Sequence, residues 1–162
     1  MKRADVSAGT LATVALMRAG VRFTPHGYEH DPATKNFGLE AAEKLELEPE
    51  RVFKTLLVEA DGRLVVGVVP VTGQLDVKAL AAAVAAKRAT MADPKLAERK
   101  TGYVVGGISP IGQKTPLETV IDETAILYDT IFVSGGRRGL DIELAPDDLA
   151  SVTGATFAPI AR

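Results

Sequence analysis

The sequence predicts an α+β fold, a mixed sheet or barrel of short strands wrapped by helices, and three observations predict it. Segments with a helical apolar stripe alternate with strand-length apolar runs along the 162 residues. Those runs are apolar on both faces, which calls for helices packed over the sheet. The dipeptide Asp61-Gly62 lies between two of them and makes them an antiparallel hairpin.

Taken in order, a helix is expected over 7–19, where Leu11, Val14, Ala15 and Met17 follow one stripe and Gly20 supplies a stop. A strand-like piece follows at 22–28. Asn36-Phe37-Gly38 then introduces a helix over 38–46, with Leu39, Ala42 and Leu45 on one side, and Glu48-Pro49-Glu50 interrupts it. The hairpin joins 52–58 to 64–69. Asp76 caps an alanine-rich helix running to about Ala86, and Asp93-Pro94 opens another to about Lys100. Strands are expected near 103–105, 118–122, 130–134 and 140–144, and Pro146-Asp147-Asp148-Leu149-Ala150 starts a last short helix. No repeat or linker divides the chain, so 1–162 reads as one domain.

Composition narrows the chemistry. With 46% hydrophobic and 25% charged residues the chain has the balance of a folded protein rather than a disordered one. It has no cysteine, so a disulfide, a thiolate zinc site or a cysteine nucleophile has no residue to use. Met1-Lys2-Arg3-Ala4-Asp5-Val6-Ser7 lacks the apolar centre of a signal peptide, and no run approaches the roughly 20 apolar residues that span a bilayer. The expected location is cytoplasmic, with no membrane partner. A net charge of −2 argues against indiscriminate coating of nucleic acid, although Lys87-Arg88, Arg99-Lys100 and Arg137-Arg138 could contact phosphates locally.

The run from Gly102 to Lys114 contains Gly106-Gly107 and Ser109-Pro110 after a strand-like stretch. Such a segment suits close approach of a ligand to main-chain amides, and equally a tight corner. Lys54 stands in phase with Val52, Leu56 and Val58, an ammonium in an apolar row that either snorkels at a sheet edge or sits in a pocket. His26 and His30 bracket Tyr28, but Pro25 and Gly27 argue against the helix that would turn this spacing into a metal site, so no metal is expected. Neither Ser109 nor Ser134 sits in a G-x-S-x-G elbow, which disfavours a serine hydrolase. Ser134-Gly135-Gly136-Arg137-Arg138-Gly139 reads as an anion-binding nest or a plain turn, and it lacks the ending of a Walker loop. Asp141 is in phase with Glu143, either as a solvent-facing pair or at a pocket mouth where it binds hydroxyl or amino groups.

Several ordered strings together resemble the YbaK/EbsC family: Tyr28-Glu29-His30-Asp31-Pro32, Asn36-Phe37-Gly38, Val52-Phe53-Lys54-Thr55-Leu56-Leu57, Val71-Thr72-Gly73-Gln74-Leu75-Asp76, Met91-Ala92-Asp93-Pro94, residues 101–114, and 133–144. The resemblance runs from about residue 11 to 162, with Phe53 a departure from the tyrosine of relatives. The family contains free-standing Cys-tRNA(Pro) deacylases and is related to the editing domain inserted in bacterial prolyl-tRNA synthetases.

The resemblance implies a mixed, barrel-like sheet of six or seven strands surrounded by helices. It also implies trans-editing, the hydrolysis of the ester between a mischarged cysteine and the terminal adenosine of tRNA(Pro), with Cys-tRNA(Cys) as a second substrate. Lys54 would be the essential residue. Tyr28, Phe37, Thr55, Gly106, Gly107, Ser109, Pro110, Ser134, Gly135 and Asp141 would bind the substrate. The thiol of the substrate would attack its own ester carbonyl, so that no cofactor, metal or protein nucleophile is needed, and Lys54 would act as base, charge stabiliser or positioning group. The partners implied are the 3′ end of aminoacyl-tRNA and prolyl-tRNA synthetase. Two other readings stand beside this one, an Ala-tRNA(Pro) deacylase on the same fold and a non-catalytic module that holds a tRNA 3′ end.

Overall fold

The structure, a computed structural model, describes residues 9–162. Its first helix, α1 (Leu11–Ala19), begins at a capping box formed by Thr10 and Thr13 and ends at Gly20 in the left-handed conformation. The earlier part of the helix expected over 7–19 lies outside the described residues. Strand β1 (Thr24–Gly27) leads to α2 (Phe37–Lys44), where the Asn36 side chain accepts a hydrogen bond from the Leu39 amide. A 3-10 turn at Pro49–Arg51 then delivers the chain to the hairpin of β2 (Phe53–Ala60) and β3 (Arg63–Pro70).

The hairpin turns at Asp61-Gly62, as the dipeptide predicts, and pairs in continuous register from Phe53 opposite Pro70 to Ala60 opposite Arg63. Its tip is tied down because the Asp61 carboxylate accepts the Lys87 and Arg88 amides. Helices α3 (Val77–Ala83) and α4 (Pro94–Thr101) start at Asp76 and Asp93, each accepting a first-turn amide, and β4 (Ala89–Met91) runs between them. The chain closes with β5 (Glu118–Asp122), β6 (Ile131–Arg137), β7 (Leu140–Leu144), α5 (Pro146–Thr153) and β8 (Thr156–Ala158).

These strands form two sheets, β1-β7-β6 and β4-β2-β3-β5-β8, with β3, β5 and β8 parallel and the remaining pairs antiparallel. The sheets meet where Val52 makes a single parallel bridge to Phe132. The five-stranded sheet is covered on both faces, as its two-faced apolar strands require. One face packs Phe53, Leu57, Val66 and Val68 against Ile131, Val133 and Ile142 of the other sheet and Leu16 of α1. The opposite face packs Val58, Val65, Val69 and Val120 under Leu80 of α3. Each such fully buried aliphatic side chain contributes about 2 kcal/mol of transfer free energy. Among the described residues no helix is long and apolar enough to cross a membrane.

The structure corrects one expected strand. Residues 103–105 form no ladder, because their backbone groups are satisfied locally: Tyr103 N–H donates to Thr101 Oγ1 and Val105 N–H to the Glu98 carboxylate. Gly107 N–H donates to the Val104 carbonyl, and Val104 is 54% exposed, so the apolar pair Val104-Val105 faces outward instead of pairing. The three-residue strands β4 and β8 were not expected, since a period of two cannot be read over so short a run.

Candidate functional site

Strand β2 has an interrupted outer edge. On one side it pairs with β3 along its whole length, while on the other it meets the first sheet at Val52 and β4 only from Val58. Between these points Lys54, Thr55 and Leu56 have no neighbouring strand on that side. Val52 accepts from the Val71 amide on the β3 side and Leu57 accepts from the Ala92 amide on the β4 side. Antiparallel alternation therefore aims the main-chain N–H and C=O of Thr55 away from β3, into the gap. A cavity of about 560 Å³ lies along this edge. That position explains why Lys54 and Thr55, which leave opposite faces of β2, both line it.

Four other segments complete the walls. The first turn of α2 supplies Asn36, Phe37 and Gly38, and β4 with α4 supplies Met91, Ala92, Pro94 and Ala97. Gly38 lets α2 come this close, since a Cβ there would fall 2.3 Å from Val71 Cγ1. The glycine-rich loop supplies Val105, Gly106 and Ile108. Gly106 has φ +89° and lies flat on the Phe37 ring, 2.9 Å from both Cδ atoms to where its Cβ would be, so both conformation and contact demand glycine. Ser134 and Asp141, directly opposed in the β6–β7 ladder, form the far wall beside Tyr28.

The polar groups facing this space are under-satisfied. The Lys54 side chain is half-buried, with no hydrogen-bond or ion-pair partner among the described residues. Thr55 Oγ1 is buried with no hydrogen-bond partner among the described residues. Asp141 is 6% exposed, and burial pushes its carboxyl up from 3.8 to about 7. Burial also raises the Tyr28 phenol, helped by the Asp141 and Glu40 carboxylates and opposed by a backbone bond from Gly139. The contrast lies just outside: burial pushes the Glu40 carboxyl up, but His30 at 2.7 Å and the Asp31 amide at 2.8 Å outweigh it and hold the group below its ordinary value.

Of the residues singled out in the sequence, Tyr28, Phe37, Lys54, Thr55, Gly106, Ser134 and Asp141 line this one cavity. Gly107, Ser109, Pro110 and Gly135 do not. Gly107 gives its amide to Val104 and packs against the Arg137 backbone. Ser109 is fully buried and accepts the Ile111 amide, Pro110 is buried beside it, and Gly135 is pressed against Leu140. These four build the back of the walls. Gly106, by contrast, lines the cavity, and its amide has no partner among the described residues. Sequence reasoning missed the wall from Met91 to Ala97, although Pro94 and Ala97 are three apart on one helix face. The two histidines serve different carboxylates, His26 bonding Glu143 at 2.8 Å and His30 bonding Glu40.

A family model, "Aminoacyl-tRNA editing domain", matches residues 31–152 and so takes in every lining residue of the cavity except Tyr28. The chain belongs to the aminoacyl-tRNA editing domain family. An Enterococcus faecalis relative named "Putative Cys-tRNA(Pro)/Cys-tRNA(Cys) deacylase EbsC" is 44% identical over 120 residues, 74% of this chain and 73% of that protein. A proline–tRNA ligase of Moorella thermoacetica is 36% identical over 95 residues, which is 58% of this chain but only 16% of the ligase. Two solved structures share the editing-domain fold: "hypothetical protein APE2540" at TM-score 0.84 and 22% identity, over 94% of this chain and 100% of that one, and "a putative trans-editing enzyme for prolyl tRNA synthetase" at TM-score 0.81 and 24% identity, over 96% and 99%.

Proposed function

We propose that this editing domain is a trans-editing deacylase that releases cysteine from Cys-tRNA(Pro), with Cys-tRNA(Cys) as a second substrate. The observation that carries the reading is a polar set without hydrogen-bond or ion-pair partners among the described residues, Lys54 and Thr55 on an open strand edge and Asp141 on the facing wall, in a cavity lined by neither cysteine nor histidine. The name of the Enterococcus faecalis relative supports the substrate. No lining side chains form a nucleophile and base pair in hydrogen-bond reach, which fits the attack by the substrate's own thiol that the family resemblance implies. The cysteinyl sulfur forms a bond to its own ester carbonyl, the bond to the ribose oxygen breaks, and the thiol proton ends on that oxygen. Water then opens the resulting thiolactone to free cysteine.

Each wall has a part in this scheme. The cavity holds thiol and carbonyl together, making the attack intramolecular. The Gly106 amide and the Lys54 ammonium meet the negative charge that develops on the carbonyl oxygen. Asp141 receives the substrate α-ammonium, a cation that would draw its raised pKa back down. Phe37 and Tyr28 flank the terminal adenosine. With so little net charge for holding tRNA, the domain works with prolyl-tRNA synthetase in the cytoplasm, where its substrate is made; the match to a segment of a proline–tRNA ligase supports that partnership.

The test is deacylation of tRNA(Pro) charged with cysteine, serine, alanine or proline. Wild type should release cysteine and leave the other three nearly untouched, since serine has the same shape without the thiol. Lys54→Ala should lose on the order of a hundredfold or more with the fold intact. Equal rates on alanine and cysteine would move the assignment to an alanine deacylase with an attacking water. No release of cysteine by wild type, with binding of the tRNA 3′ end that weakens in Lys54→Ala, would move it to a binding module, and retained turnover in Lys54→Ala would overturn the role given to Lys54.

A further inference from the structure

We propose that Arg138 is a positioning residue, a surface guanidinium that clamps the glycine loop onto the Phe37 wall and thereby fixes the Gly106 amide in the cavity. Arg138 is exposed and lies in the turn between β6 and β7, outside the cavity lining. Its Nε and Nη2 both donate to the Val105 carbonyl, at 2.9 and 2.7 Å, a paired grip on one oxygen. Its Cζ sits 4.8 Å over the centre of the Phe37 ring, whose neighbour on the approach segment is His30 at 5.7 Å. Gly106 is trapped between the two, because its Cβ would lie 2.8 Å from Arg138 Nε and 2.9 Å from the ring. One side chain therefore ties together a loop, a helix start and a strand turn that share no ladder.

The neighbouring contacts show what the clamp does. Val105 is held from behind by its amide bond to Glu98 of α4, and Gly107 closes a turn onto Val104. With Arg138 in place Val105 is gripped at both its N–H and its C=O, so the peptide that follows, which carries the Gly106 N–H, has a fixed plane. Lysine cannot do this: it offers a point charge, whereas the planar fork supplies two parallel donors and a flat face for the ring. The consequence for turnover rests on the deacylase reading, while the clamp itself does not.

Two measurements on Arg138→Ala and Arg138→Lys separate these levels. Amide exchange of Gly107, which reports whether the loop turn stays closed, should speed up by about tenfold or more in both variants. Release of cysteine from Cys-tRNA(Pro) should fall between about tenfold and a hundredfold in both, mainly in kcat, with the unfolding midpoint little changed. Unchanged Gly107 exchange in Arg138→Ala would overturn the clamp. So would recovery of turnover by lysine together with a loss that fades as salt rises, the behaviour of a phosphate contact. If wild type releases no cysteine, the deacylase reading fails and the exchange result still decides the clamp.

Discussion

Two aspartates are buried almost equally, Asp122 at 2% and Asp141 at 6% exposure, and they do opposite things. Asp122 Oδ1 accepts the Ile160 and Ala161 amides, and Oδ2 accepts the amide and hydroxyl of Thr124, so the carboxylate knits the end of β5 to the segment that follows β8. Asp141 has no such partners, and its proton is held to about pH 7 by burial. The same contrast recurs in two threonines: Thr101 Oγ1 donates to Ala97 and accepts from Tyr103, while Thr55 Oγ1 has nothing. Burial alone does not separate scaffold from site; satisfaction does. A folded chain keeps an unsatisfied buried group where something else is meant to satisfy it.

The largest effect that can break this contrast is at Asp122. Asp122→Ala strands the buried Ile160 amide and the half-buried Ala161 amide and should cost on the order of 3 kcal/mol, lowering the unfolding midpoint by about 10 °C, with cysteine release unaltered well below that midpoint. A loss of turnover without a loss of stability would put Asp122 in the site and erase the distinction.

Asp141→Asn should show the reverse. The folded carboxyl keeps its proton to about pH 7 while the unfolded one releases it near 3.8, so the stabilisation is complete below pH 4 and is lost as pH rises through 7. Plotted against pH, the wild-type midpoint should therefore fall relative to Asp141→Asn between pH 4 and 7, by up to about 1.4 kcal/mol per unit. For the free enzyme, kcat/KM for cysteine release should show a limb near pH 7 in wild type that is missing in Asp141→Asn. Parallel stability curves would mean that Asp141 has a partner after all. The threonine pair gives the smallest and cleanest comparison. Thr55→Val should be neutral or stabilising by about 1 kcal/mol while turnover drops, and Thr101→Val should destabilise by about 1 kcal/mol with turnover kept, both read from urea midpoints and deacylation rates.

The contrast also marks how far the sequence could be read. Caps and turns are local, so Asp76, Asp93, Asp61-Gly62 and Gly20 announced their elements directly. Strands β4 and β8 exist only through partners distant in the chain, and Tyr103-Val104-Val105 had a strand's composition without a strand's neighbour. In the site, the suspicious residues could be named from pattern and resemblance, including Lys54 in its apolar row and Asp141 in phase with Glu143. What the pattern could not carry was the pairing state of each group. It did not reveal that Gly107 gives its amide away while Gly106 does not, or that Arg138 holds the loop from outside.

The open edge of β2 has a further consequence, for solubility. An unpaired strand edge invites another chain to add a strand, and natural sheets blunt such edges. Here the exposed stretch is only Lys54 to Leu56, roughly 10 Å at 3.3 Å per residue, and it is closed at one end by the bridge to Phe132 and at the other by β4. That length is enough to present one residue's donors and acceptors to a single amino acid. It is too short to recruit a stable intruding strand. A deletion that removed β4 would lengthen the gap to the tip of the hairpin, and the expected phenotype is aggregation before loss of chemistry.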